Sequence, residues 1–155
     1  MILCRYILTS YVIKYWYMLS VHEQLSLLVH LSKIDNFIAE PEAKMIHYIG
    51  NLNGMTEDDI ENVIDNPMPI PDLSDLHPDH KFEYLFNIVQ LMKVDGKVFQ
   101  SEIDFCEKIA LKLGYKPGVI ADLSAYVYSD PNINTSRSFL RSIADEHLIP
   151  KSEKK

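Results

Sequence analysis

Apolar positions recur at three- and four-residue spacing along most of this chain, the period of a helix with one buried face, and no stretch carries a competing strand signal. A first helix is predicted from Ser20, whose hydroxyl can cap while Glu23, three residues on, completes a capping box. A counterpart begins near Asp79, behind Pro78, and its Phe82, Leu85, Phe86, Val89 and Met92 fall on one buried face. Second helices run from Pro41 to Gly54 and from Ser101 to Gly114, with glycine just past each end. Third helices follow at Thr56 with Asp59, carrying Ile60, Val63 and Ile64, and at Pro117, carrying Ile120, Leu123 and Val127. A final helix is expected over about 135–147, with Phe139, Leu140, Ile143 and Ala144 inward and Pro150 closing it.

The same periodicity occurs twice in register. LSKIDNFIAEPEAKMIHYIGNLNGM, residues 31–55, aligns without a gap on LMKVDGKVFQSEIDFCEKIALKLGY, residues 91–115, at an offset of 60. Leu31 meets Leu91, Lys33 meets Lys93, Asp35 meets Asp95, Glu42 meets Glu102, Ile49 meets Ile109 and Gly54 meets Gly114. The predicted architecture is all-α: a single bundle of about seven helices with an internal two-fold repeat. Repeat 1 covers about 20–65 and repeat 2 about 79–128. Between them the linker 65–79 has prolines that forbid a continuous helix, and beyond the domain at 18–150 lies a charged tail, 151–155.

Composition narrows the functional class. At 155 residues, 47% apolar and 24% charged, the chain has the profile of one globular domain. Its net charge of -7, with basic residues scattered, excludes a phosphate-binding face and hence nucleic acid as partner. Cys4 and Cys106 are far apart and belong to no zinc-type cluster, which fits a reducing cytoplasm; Cys106, beside Ile103 and Ile109 on an apolar face, is expected in the core. The extension at residues 1–17 is apolar and aromatic but broken by Arg5 and Lys14, too short a run for a bilayer span of about 20 residues. It reads as an additional packed helix, as sequence preceding a start at Met18, or as an interfacial membrane anchor that would place the protein at the inner face of the membrane.

Asp35 and Asp95 each stand at the end of a helix, where a carboxylate meets exposed carbonyls and the negative end of the dipole. Glu42 and Glu102 follow seven residues later, in the first turn of the next helix, and the turn can bring each back toward its Asp. If the copies face one another, four carboxylates converge. Oxygen-only donors point to calcium or magnesium, with manganese a further candidate, rather than zinc or copper. The plain structural alternative is that Asp-Gly and Asp-Asn are turn dipeptides and a first-turn Glu is favoured by the dipole without a ligand. The spacing is not that of an EF-hand, and no Glu-x-x-His of a di-iron bundle occurs. His77 and His80, with Asp75 and Asp79, form a second cluster in the proline-rich linker, read as a solvated loop; His22, His30, His47 and His147 are isolated. No nucleophile elbow, dinucleotide fingerprint or P-loop is present, so the chain is expected to be non-enzymatic.

At these residues the chain resembles the tellurite-resistance TerB family and, more loosely, the N-terminal domain of the DjlA co-chaperone. Both carry a helix followed by Lys/Ser-x-Asp-Gly-x-apolar-x-x-x-Glu; KVDGKVFQSEIDFCEKIALKLGY is the closer match and KIDNFIAEPEAKMIHYIGNLNGM the weaker. The resemblance implies an all-α bundle with a carboxylate cluster binding a divalent cation, here Asp35, Glu42, Asp95 and Glu102, with Glu40 as an additional candidate. Asn36 replaces the usual glycine, and Phe99-Gln100-Ser101 replaces further acids, which lowers the expected affinity. The resulting expectation is a cytoplasmic stress-response protein, working with a protein partner as a cation-dependent module. The competing readings are a metal-independent interaction scaffold or co-chaperone-like domain and, behind both, a small metal-assisted hydrolase.

Overall fold

The structure is a computed structural model and describes residues 19–151; the extension at 1–17 and the tail beyond 151 lie outside the described residues. Among these residues the fold is all-α, with seven helices and no strand: α1 Val21–Ser32, α2 Glu40–Leu52, α3 Glu57–Asp65, α4 Pro78–Lys93, α5 Gln100–Leu113, α6 Val119–Ser124 and α7 Arg137–Asp145. An isolated antiparallel bridge joins Tyr115 to Leu148.

Helix α1 is the centre of the first half and touches α2, α3, α4 and α5; α4 plays the same part in the second half against α5 and α6, and α1 against α4 joins the halves. Both central helices are apolar over much of their circumference, as a helix enclosed by neighbours must be. Leu25, Leu27, Leu28, Val29 and Leu31 of α1 are buried, as are Phe82, Leu85, Ile88, Val89 and Leu91 of α4. Phe86 is half-buried, its ring covered by the Arg137 guanidinium 3.5 Å from the centroid. Cys106 is fully buried, as the apolar face around it requires.

The caps follow the chemistry of the local sequence. The Ser20 hydroxyl accepts from Glu23 N at 3.2 Å and the Glu23 carboxylate accepts from Ser20 N at 2.9 Å, so two orphan donors of α1 are satisfied reciprocally. Thr56 and Asp59 do the same for α3. Helices α2 and α5 begin one residue before the proline and serine predicted to start them, and α7 is shorter at both ends than the expected 135–147.

The proline-rich segment between the halves is a strap packed along α1 rather than a free linker. Leu73 and Leu76 are buried, Met68 N donates to Ser26 Oγ at 2.9 Å, and His30 Nε2 lies 2.7 Å from the Met68 carbonyl. Helix α4 starts within the end of this strap, which corrects the loop assignment of the two histidines: His77 is the N-cap of α4, accepting from Asp79 N at 3.2 Å, and His80 lies in its first turn, stacked on Tyr84. Asp79 pairs with Arg141 at 3.3 Å.

Candidate functional site

The two acidic turns are built alike. After α1 the chain passes through Asn36 at φ 64°, and after α4 through Gly96 at φ 77°, the left-handed conformation that glycine adopts freely and asparagine tolerates. Asp35 Oδ1 accepts from Phe37 N at 3.2 Å and Asp95 Oδ1 from Lys97 N at 2.9 Å. Each aspartate therefore has a local partner that the sequence did not disclose, an Asx turn that holds the carboxylate at the helix exit despite the dipole.

The next helices enter through residues with no capping side chain. Ala39 precedes α2 and Phe99 precedes α5, and in both cases a glutamate reaches back instead: Ala39 N donates to Glu42 Oε2 at 2.9 Å and Phe99 N to Glu102 Oε2 at 2.8 Å. This return contact and the helix N-terminus draw both carboxylates inward. Glu42 is only 4% exposed and Glu102 only 8%, uncommon for glutamates, which are almost never buried unless paired.

Electrostatics ties the four groups together. Burial is the main cause that pushes the Glu42 carboxyl up to about 7; the carboxylates of Glu102, Asp95 and Asp35 raise it further, and the Ala39 N–H opposes them. Glu102 is raised in the same way, by burial first and then by Asp95 and Asp35, against the Phe99 N–H. Asp35 and Glu102 also line one cavity of about 10 Å3 with Ser101 and Phe99, roughly the room one water needs. The halves thus meet acid to acid at the entrances of α2 and α5.

Glu40 does not join them. Its side chain is exposed and bonded to Lys44 at 2.7 Å, and that bond holds its carboxyl below the usual value. Among the described residues, no three His, Cys, Asp or Glu side chains stand close enough to hold one metal ion together. The donor chemistry suits a hard cation, and Asp35 and Glu102 are the two carboxylates that line a common cavity.

Behind the acidic crossing sit two lysines whose role sequence reasoning missed. Lys33 Nζ donates to the Ile64 carbonyl at the end of α3, and Lys93 Nζ to the carbonyls of Ser124 and Val127 at the end of α6. They cap helix C-termini, the favourable place for a cation. Their signal was present: each stands two residues before an aspartate of an acidic turn.

The remaining groups serve structure. His47 bridges Glu57 at 2.8 Å and Glu61 at 3.0 Å, linking α2 to α3, and His147 pairs with Asp122 at 2.6 Å. Burial pushes the Cys106 thiol upward, away from thiolate chemistry. Comparison with family models, with curated proteins and with solved structures finds no match for this chain.

Proposed function

We propose that this chain is a non-enzymatic, TerB-like helical module that binds a hydrated divalent cation at its acidic crossing. The observation that carries this reading is the burial of Glu42 and Glu102 in the field of Asp35 and Asp95. Two buried carboxyls with raised proton affinity form a place where positive charge is wanted, and a proton or a cation can supply it. We read the halves α1–α3 and α4–α6 as two copies of one unit. The paired Asx turns, the paired glutamate contacts and the paired lysine caps, each at the offset of 60, support that reading.

Oxygen donors that come in pairs suit magnesium, which keeps several waters and uses one or two carboxylates, or calcium with water completing its shell; manganese has the same preference. Asp35 with Glu102 is the pair we assign first, because they share a cavity. With few charges per pair the affinity is modest. On the TerB resemblance we read such a module as a cytoplasmic component of a stress response, working beside a protein partner. A metal-independent scaffold is the second reading, favoured by the hydrogen bond that each of the four carboxylates already accepts from a backbone N–H two or three residues away.

Thermal melting at pH 7.5 with calcium, magnesium or manganese against chelator tests the proposal. A cation that binds only the folded state stabilises it by about 2.7 kcal/mol at a hundredfold excess over its Kd. For a domain of this size that is a rise in Tm of roughly 5 to 10 °C. An unchanged Tm across millimolar concentrations of all three cations removes the cation from the account and leaves the scaffold.

A further inference from the structure

Helix α2 carries an apolar stripe that is buried at Met45 and exposed at Pro41, Tyr48 and Leu52. Pro41, Met45, Tyr48 and Leu52 recur at four, three and four residues, and Tyr48 and Leu52 are 64% and 68% exposed. Over those residues the stripe is about 17 Å long at 1.5 Å rise per residue. Its first part forms one wall of a groove of about 620 Å3, whose other walls are Val94 to Gly96 after α4 and Ser129 to Asn132 before α7.

Charge on the groove decides what fits it. Asp95 and Asp130 both line it, and each spends one carboxylate oxygen, Oδ1, on its own turn. The lysine on this wall, Lys44, is bonded to Glu40 at 2.7 Å, so its charge is answered locally. An apolar floor between two carboxylates, on a chain of net charge -7, repels an anionic bilayer and complements a cationic partner. A stripe at helical spacing over three turns suits a helix laid along it, whose apolar anchors enter the groove while its lysines or arginines reach the rim.

We propose that this groove receives a basic amphipathic helix of a partner protein. Asp95 belongs both to this groove and to the acidic crossing, so a cation held there would lower the charge of the groove; the proposal itself does not rest on cation binding.

The test uses the full chain, in chelator throughout, so that its outcome is separate from that of the cation experiment. The probe is a labelled 18-residue synthetic helix of leucine, alanine and lysine, set against the same peptide with glutamate for lysine. The lysine peptide is expected to saturate and to shift backbone amide resonances at 41–52 and 129–132. Tyr48→Asp should weaken it at least tenfold with Tm unchanged, since Tyr48 is exposed. Asp130→Asn should weaken it a few-fold and flatten its salt dependence. Equal binding of the glutamate peptide, or resonance shifts confined to the exposed aromatic pair Tyr126 and Phe139, overturns the proposal. So does self-association of the chain that Tyr48→Asp abolishes, which assigns the groove to a second copy.

Discussion

Asp35 and Glu102 line the same small cavity although they belong to opposite halves of the chain, and the neighbouring Asp95 raises the proton affinity of both buried glutamates. The acidic crossing is thus a joint between halves rather than two separate turns, and its charge state acts on the stability of the whole domain.

The sign of the pH dependence follows. Glu42 is raised from an ordinary 4.5 to about 7 in the folded state, and Glu102 moves the same way. A carboxyl whose folded value lies above its unfolded value contributes stability that is fully present below the unfolded value and is lost as pH rises through the folded one. In chelator, stability should therefore fall between about pH 4.5 and 7 from Glu42, by on the order of 1 to 2 kcal/mol after screening by solvent, with Glu102 acting in the same direction, and Tm should fall with it. Glu42→Gln keeps an acceptor for Ala39 N and removes the charge. It should raise Tm at pH 8 in chelator and flatten the profile, as read by melting curves across pH.

The lysine caps make a second expectation. Lys93→Met removes the donor to the Ser124 carbonyl at the end of α6 and to the Val127 carbonyl just beyond it, as Lys33→Met does for Ile64 of α3. Each should cost about 1 to 3 kcal/mol in denaturant unfolding. Substitution of the exposed Lys97 should leave stability within about 0.5 kcal/mol.

Gly50 sets the approach of α2 to α3. A Cβ there would lie 2.7 Å from both Cγ1 and Cδ1 of the fully buried Ile60. Gly50→Ala should therefore destabilise by about 1 to 3 kcal/mol despite alanine's better helix propensity. Adding Ile60→Val, which removes Cδ1, should restore part of that loss, a non-additivity that a double-mutant cycle measures directly.

Cys106 has no exposed surface, and burial raises its thiol. It should react with a thiol reagent only at the rate at which the domain opens, and its modification rate in rising denaturant should follow the unfolding curve.

Much of this was legible in the sequence because the information is local. Ser20 with Glu23 and Thr56 with Asp59 announce their helices through contacts three residues apart, and the apolar stripe of α4 is visible without a partner. The burial of Glu42 and Glu102 was not legible, since it depends on how α1 packs against α4 and α5. Neither was the groove, whose walls come from three separate stretches. The histidines of the strap differ from expectation for the opposite reason: four prolines between 65 and 79 read as loop, but Pro78 is a helix-starting proline, so His77 caps α4 and His80 lies in its first turn.

Calorimetric titration of calcium or magnesium into the chain at pH 7, in two buffers of different ionisation enthalpy, decides whether the acidic crossing takes up a cation. Because Glu42 is partly protonated at that pH, a cation taken up at the acidic crossing must displace a fraction of a proton. Saturable heat with proton release is expected in the wild type, and loss of both in Asp35→Asn with Asp95→Asn, a variant that in chelator melts no lower than the wild type. Absence of binding heat for either cation, or heat and proton release that persist in the double variant, would contradict uptake of a cation at the crossing.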